Sequence, residues 1–164
     1  MSKLKIRKYN DPILRVKCEE VKEITSEVRD FAQKMLRIMH RGDGVGLAAP
    51  QVGDKRRIIV MDIGHGSLSL VNPRIIKKSD KMASDFEGCL SLPGINLRIK
   101  RSQSVEIEAY LLEREQRVKI KAEDLLARDI QHEIDHLNGI LIIDKVRLFK
   151  KLKAIKKMKK KLRE

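Results

Sequence analysis

The stretch His132-Glu133-Ile134-Asp135-His136, set within 123-EDLLARDIQHEIDHLNG-139, organises the reading of this chain. Its surroundings predict a helix from about Glu123 to Asn138, with Gly139 as the C-cap. On a helix, positions i and i+4 share a face, so His132 and His136 can bind one metal ion. Glu133 sits between them, where it can act as a general base toward a water on that ion. Only four histidines occur in 164 residues, and two of them fall at this spacing around a glutamate. The competing reading is a helix that carries two partly buried histidines.

Working toward the N-terminus, strand-like segments surround this helix. Val105, Ile107, Ala109 and Leu111 alternate with Glu106, Glu108 and Tyr110, as in a half-buried strand, and Glu113–Gln116 can turn it back into Arg117–Lys121. Shorter strands are expected at Arg57–Ile63 and at Leu68–Asn72, the second ending at Pro73. A glycine-rich loop, Gly42 to Gly53, precedes them. A first helix over 26–41 is predicted by Val28, Phe31, Ala32, Met35, Leu36 and Met39 at i, i+3, i+4 and i+7 spacing, with Thr25 or Ser26 at its start and Gly42 at its end. The order helix, strands, helix, tail helix predicts an α+β fold: a mainly antiparallel mixed sheet packed around the central HExxH helix, followed by a basic C-terminal helix. Residues 1–147 are read as the catalytic domain, and 148–164 as a basic helix of the same unit.

The composition is 41% apolar and 37% charged, with three Phe, two Tyr and no Trp, so aliphatic side chains and Met must fill the core. No apolar run approaches the roughly 20 residues that span a bilayer, and MSKLKIRKYNDP lacks an apolar signal core, so no membrane insertion and a cytoplasmic location are expected. Cys18 and Cys89 read as free thiols or ligands. Of the formal charge of +14, most lies at the end: residues 145–163 hold eleven Lys or Arg and no acid. Leu148, Leu152, Ile155 and Leu162 recur there at helical spacing, with Phe149 and Met158 nearby. This is either a solvated last helix whose apolar stripe packs on the body, or a handle for RNA or another polyanion.

A catalytic metal site of this kind needs a third protein ligand. In the metzincin pattern HExxHxxGxxH, Gly139 fits, but the last position is Ile142, which cannot bind metal. Downstream only Asp144 and Glu164 offer carboxylates. Cys89, within Glu87-Gly88-Cys89-Leu90-Ser91, is the better candidate, and a Cys/His/His set suits a soft-to-borderline ion such as Fe(II) or Zn(II). A third stretch, Gly44-Val45-Gly46-Leu47-Ala48-Ala49-Pro50-Gln51, lets backbone approach a ligand and offers the Gln51 amide as a donor; it does not match a dinucleotide-binding fingerprint.

In this order, GVGLAAPQ at 44–51, EGCLS at 87–91 and HEIDH at 132–136 resemble the hallmarks of the peptide deformylase family, and Asp11-Pro12-Ile13-Leu14-Arg15 resembles the family's opening. The resemblance covers about residues 4–147. It implies a metallo-hydrolase that removes the N-formyl group from the formyl-methionine of new polypeptides and releases formate. It implies Cys89, His132 and His136 as ligands of one divalent ion, commonly Fe(2+), with Zn(2+), Ni(2+) or Co(2+) able to replace it. Glu133 matches the family's acid/base, and Gln51 and the Leu90 N–H match its oxyanion donors. The backbone of Gly44, Val45 and Gly46 is expected to take the substrate main chain as an added strand. The basic tail implies contact with the ribosome, rRNA or protein near the tunnel exit, by a monomeric enzyme. Asp129, three residues before His132 on the ligand face, departs from the family's usual apolar residue; it pairs with Arg128 or a basic loop residue, or it alters the pocket. A metalloprotease and a basic RNA-binding module with a structural metal are the competing functions.

Overall fold

In a computed structural model, residues 4–162 are described. Ten helices and strands follow one another as α1 (Ser26–Arg41), β1 (Gly46–Ala48), β2 (Ile58–Asp62), β3 (Ser67–Lys78), β4 (Met82–Gly88), β5 (Asn96–Ser102), β6 (Ser104–Leu111), β7 (Gln116–Glu123), α2 (Asp124–Leu137) and α3 (Leu148–Lys161). One sheet has the order β1-β2-β3-β6-β7 with every neighbour antiparallel, and β4 and β5 form a separate antiparallel hairpin. The one parallel pairing among the described residues is an isolated bridge between Glu19 and Arg56. This is the expected α+β arrangement.

The sheet lies between α1 and α2 because β2 is apolar on both faces. Ile59 and Met61 pack with Ile130, Ile134 and Leu137 of α2, whereas Ile58 and Val60 pack with Met35 and Met39 of α1. All of these but Ile134 are essentially inaccessible to water, and each large side chain so buried contributes about 1.5–3 kcal/mol. Thr25 Oγ1 caps α1 by accepting from the Val28 N–H, and the Gly42 N–H closes the helix on the carbonyls of Ile38 and Met39. In β6 the alternation read from the sequence becomes strict alternation in burial. A single 3-10 turn, Leu112–Arg114, and Glu115 at φ +52° return it into β7.

Three segments differ from their sequence-based expectations. The strand expected to end at Pro73 continues to Lys78, because the register shifts between Val71 and Arg74 and so accommodates a residue with no N–H. Asn72, at φ +52°, turns its side-chain amide to the backbone of Val21 on both the N–H and C=O sides, at 2.8 Å each. The loop 42–53 contains β1 and a 3-10 turn over Ala49–Val52, held by burial of Leu47, Ala48, Ala49 and Val52. The β4–β5 hairpin had no clear signal, since most of β4 faces solvent and its sequence, MASDFEG, does not alternate.

The tail helix also differs in which face it buries. A third cluster, formed by Leu14, Leu92, Ile95, Ile99 and Leu141–Ile143, receives Ala154 and Met158, with Ile155 partly buried. Leu148 and Phe149 are 69% and 79% exposed, and Leu152 and Leu162 are exposed as well. The small Ala154 side chain allows close approach on its own face, which the leucine spacing did not reveal. Arg163 and Glu164 lie outside the described residues.

α2 ends in a Schellman motif: the Gly139 N–H bonds the carbonyl of His136, and the Ile140 N–H bonds that of Asp135. Gly139 has φ +73°, and a Cβ there would lie 2.5 Å from the Arg15 carbonyl oxygen, a backbone atom that cannot move aside. Gly64 has φ +96° with nothing nearby. Gly64→Ala is therefore expected to cost about 1 kcal/mol and Gly139→Ala about 2–4 kcal/mol. Thermal melts of the two variants check this, and equal shifts would remove the steric account.

Candidate active site

The C-terminal end of β4 and one face of α2 bring the proposed ligands together. Cys89 follows β4 directly, and its Sγ lies 3.3 Å from His136 Nε2; His136 Nε2 lies 3.1 Å from His132 Nε2. The three donor atoms all lie within 4.8 Å of one another. A tetrahedral ion with metal–nitrogen bonds near 2.0 Å and metal–sulfur bonds near 2.3 Å needs donors about 3.3–3.7 Å apart, close to what is present. One thiol and two imidazoles thus form a donor set and a cage that fit a borderline metal ion.

His132 presents Nε2 because its other nitrogen is engaged. Its Nδ1 lies 2.9 Å from Glu87 Oε2, and Glu87 also receives Arg101 Nε at 2.6 Å, Arg101 Nη2 at 2.9 Å and Arg128 Nη1 at 2.7 Å. Arg101 continues the chain to Asp135 at 2.7 Å, and Lys145 meets the same carboxylate at 3.2 Å. Burial would raise the Glu87 pKa, but bonds from His132 and Arg101 outweigh it and hold the carboxyl far below its ordinary range. Burial also works against ionisation of Cys89, yet the neighbouring His136 and His132 hold its thiol well below the usual value, the state a metal ligand requires.

Glu133 points beside the cage. It is buried, its Oε2 has no hydrogen-bond partner among the described residues, and burial together with the Asp129 charge raises its pKa well above the usual carboxylate range. Asp129, one turn earlier, is likewise buried with an unpartnered Oδ2, and burial raises its pKa to about 6. Among the described residues neither of the pairings expected for Asp129 forms: Arg128 turns instead to Glu87 and to the carbonyls of Ile99 and Ala83, and no basic loop residue reaches Asp129. Gly46 runs against both acids, where a Cβ would lie 2.5 Å from Glu133 Oε1 and 2.6 Å from Asp129 Oδ1, so any side chain there would have to displace these carboxyls.

The remaining expected residues line the same cavity of about 520 Å³, with Gly44, Val45, Gly46, Gln51, Leu90, Asp129 and Glu133 on its walls. Gln51 is fixed by the Ala48 N–H on its Oε1, which leaves Nε2 donating toward Cys89 Sγ at 3.4 Å and Ser91 Oγ at 3.2 Å. Leu90 packs its side chain where Gly42 and Gly44 lack a Cβ, and its carbonyl accepts from Lys8 Nζ at 2.7 Å. β1 pairs on one side with β2 and forms the edge of its sheet. Asp144, the downstream alternative ligand, stays away: it bonds Arg15, Lys151 and the Leu141 N–H. The sequence assigns no part to Arg101 or to the Glu87 carboxylate and offers Arg128 only as a partner for Asp129, since the true partners are 14 to 45 positions apart and carry no periodic signal.

The family model described as Polypeptide deformylase matches residues 3–152. A peptide deformylase of Caldanaerobacter subterraneus is 49% identical over 142 residues, covering 86% of this chain and 87% of that protein. One from Dictyoglomus turgidum is 44% identical, covering 87% and 92%. Among solved structures, peptide deformylase from Ehrlichia chaffeensis has a TM-score of 0.92 at 36% identity, covering 99% of this chain and 98% of that one. Peptide deformylase from Synechococcus elongatus in complex with actinonin has a TM-score of 0.90 at 38% identity, covering 94% and 85%. Matching sequence, fold and clustered site residues over nearly the whole length establish that the chain belongs to the polypeptide deformylase family.

Proposed function

We propose that this chain removes the N-formyl group from N-formylmethionyl nascent peptides by hydrolysis, releasing formate. The observation that carries the reading is the meeting of Cys89, His132 and His136 with the buried Glu133 beside them, in a chain of this family. Cys89, His132 and His136 would hold one divalent ion, Fe(2+) by likeness to the family, and their mixed sulfur–nitrogen set also suits Zn(2+), Ni(2+) or Co(2+). When bound, such an ion supplies Lewis acidity toward a carbonyl oxygen and lowers the pKa of water.

Glu133 accepts the proton of the attacking water and returns it to the departing amine. A carboxyl whose pKa is raised by burial and by Asp129 is suited to both halves of that task. Gln51 Nε2 and the Leu90 N–H donate to the oxygen that gains charge, and the anchoring of Gln51 by Ala48 and of Leu90 by Lys8 spares reorganisation during reaction. The backbone of Gly44 and Val45 leading into β1, with Gly46 at the edge strand itself, pairs with the substrate main chain, which aligns the formyl group. A formyl carbon bears only hydrogen, so a close pocket admits it and excludes longer acyl groups.

Formate release from formyl-Met-Ala-Ser, beside an unblocked peptide, tests the reaction: the first is expected to be cleaved and the second left intact, whereas cleavage of the unblocked peptide would indicate a protease. Glu133→Ala is expected to lower kcat by about 100- to 10,000-fold with metal content unchanged, since Glu133 is assigned no ligand role. Undiminished turnover would exclude it as the base. Cys89→Ser is expected to reduce bound metal by elemental analysis, and an unaltered metal content would exclude the thiolate ligand.

The basic tail is proposed to hold this cytoplasmic, monomeric enzyme near its substrate on the ribosome. Lys153, Lys156 and Lys160 are exposed on α3, as is Phe149. No helix among the described residues is long and apolar enough to cross a membrane. Neutralising these three lysines to Gln is expected to weaken co-sedimentation with ribosomes and flatten its salt dependence. Equal co-sedimentation would overturn the assignment.

A further inference from the structure

A second cleft, about 880 Å³, opens on the far side of α2. Gln131, Ile134, Asp135 and Asn138 line it, and at 100° per residue they point about 160° away from the face that carries Asp129, His132, Glu133 and His136. Eight cationic and two acidic residues surround it. Five of the cations, Lys17, Arg57, Lys77, Lys78 and Lys100, have no carboxylate within 4.0 Å among the described residues, and they come from four separate segments of the chain. The other three are already paired with Glu108, Glu87, Asp135 or both of the last two. Gathering unpaired charge of one sign in a concavity costs self-repulsion, which an anion relieves.

The shape and chemistry narrow the anion. The volume far exceeds one phosphate, so the cleft has room for several anionic groups together. Among the described residues no aromatic side chain lines the cleft, which leaves no platform for stacked bases and favours contact with a sugar–phosphate backbone. Ile76 and Met82 are the large exposed apolar side chains there, too few to anchor an amphipathic protein helix. We propose that this cleft binds the phosphodiester backbone of folded RNA, without sequence specificity and independently of α3.

The test titrates a fluorescent RNA hairpin with the full-length protein by anisotropy at salt concentrations from about 50 to 200 mM. Lys17→Gln/Lys77→Gln/Lys100→Gln removes one cation from each of three walls, and all three side chains are exposed. The triple variant is expected to melt as the parent does, to lose about tenfold or more in affinity, and to reduce the log–log salt slope by about 2–3. The loss should add to that from Lys153→Gln/Lys156→Gln/Lys160→Gln in the tail. As a measurement on the unaltered protein, RNA should shield Lys17, Lys77 and Lys100 from acetylation read by mass spectrometry. Unchanged affinity and slope in the cleft variant, or no shielding, would overturn the proposal. Polyglutamate of matched charge that binds as tightly and shields the same lysines would overturn the assignment to RNA.

Discussion

Glu87 leaves solvent at the end of β4 and there meets three donors at once: the guanidinium groups of Arg101 and Arg128 and the Nδ1 of His132. One carboxylate with about four acceptor positions can satisfy this many donors, and the surplus positive charge around it keeps it ionised despite burial. The same contact joins the β4–β5 hairpin to α2, which otherwise belong to separate layers. It orients His132 so that Nε2, rather than Nδ1, faces Cys89 and His136. Removing the Glu87 carboxylate would leave the buried Arg128 guanidinium without a carboxylate and Arg101 with Asp135 alone, an expensive arrangement, so hairpin docking and site geometry depend on the same contact.

The arrangement on the other side of the cage obeys the opposite logic. Asp129 and Glu133 share one face of α2, are both buried, and face Gly46 rather than a cation. Burial and mutual repulsion favour keeping a proton on this pair, while Glu87 in β4 is held charged. Carboxyls on one short helix and the strand beside it are thus driven in opposite directions by their surroundings. That division separates a fixed structural anion from a group able to gain and lose a proton.

α2 therefore serves both sides of the molecule. The face that carries Asp129, His132 and Glu133 opens to the cavity bounded by β1 and the residues after β4, and the opposite face floors the basic cleft, with Arg101 and Asp135 reaching into that cleft from the ion network behind His132. The apolar positions Ala127, Ile130 and Leu137 hold it against the sheet between these two openings.

The local elements were legible in the sequence because their causes are local. α1 and β6 follow from a period of 3.6 and a period of 2, and the shared face of His132 and His136 follows from their i, i+4 spacing. The need for a third ligand pointed to Cys89, the small-residue stretch offered the Gln51 amide, and the family motifs added the Leu90 N–H; periodicity alone connects none of them to α2. Continuation of β3 past Pro73 depended on a bulge and on Asn72 reaching Val21, 51 residues away. The buried face of α3 depended on what the third cluster offered it, and Ala154 and Met158 fit where the leucines did not. The Glu87–Arg101–Arg128–His132 contacts and the basic cleft arise only when distant segments converge, because charge pairing and desolvation depend on distance in space. Periodicity and capping are properties of neighbouring residues, and so the sequence by itself determined the helices, the strand alternation and the ligand spacing, whereas the tertiary structure decided which charges are neutralised, which remain free and which face of the last helix is covered.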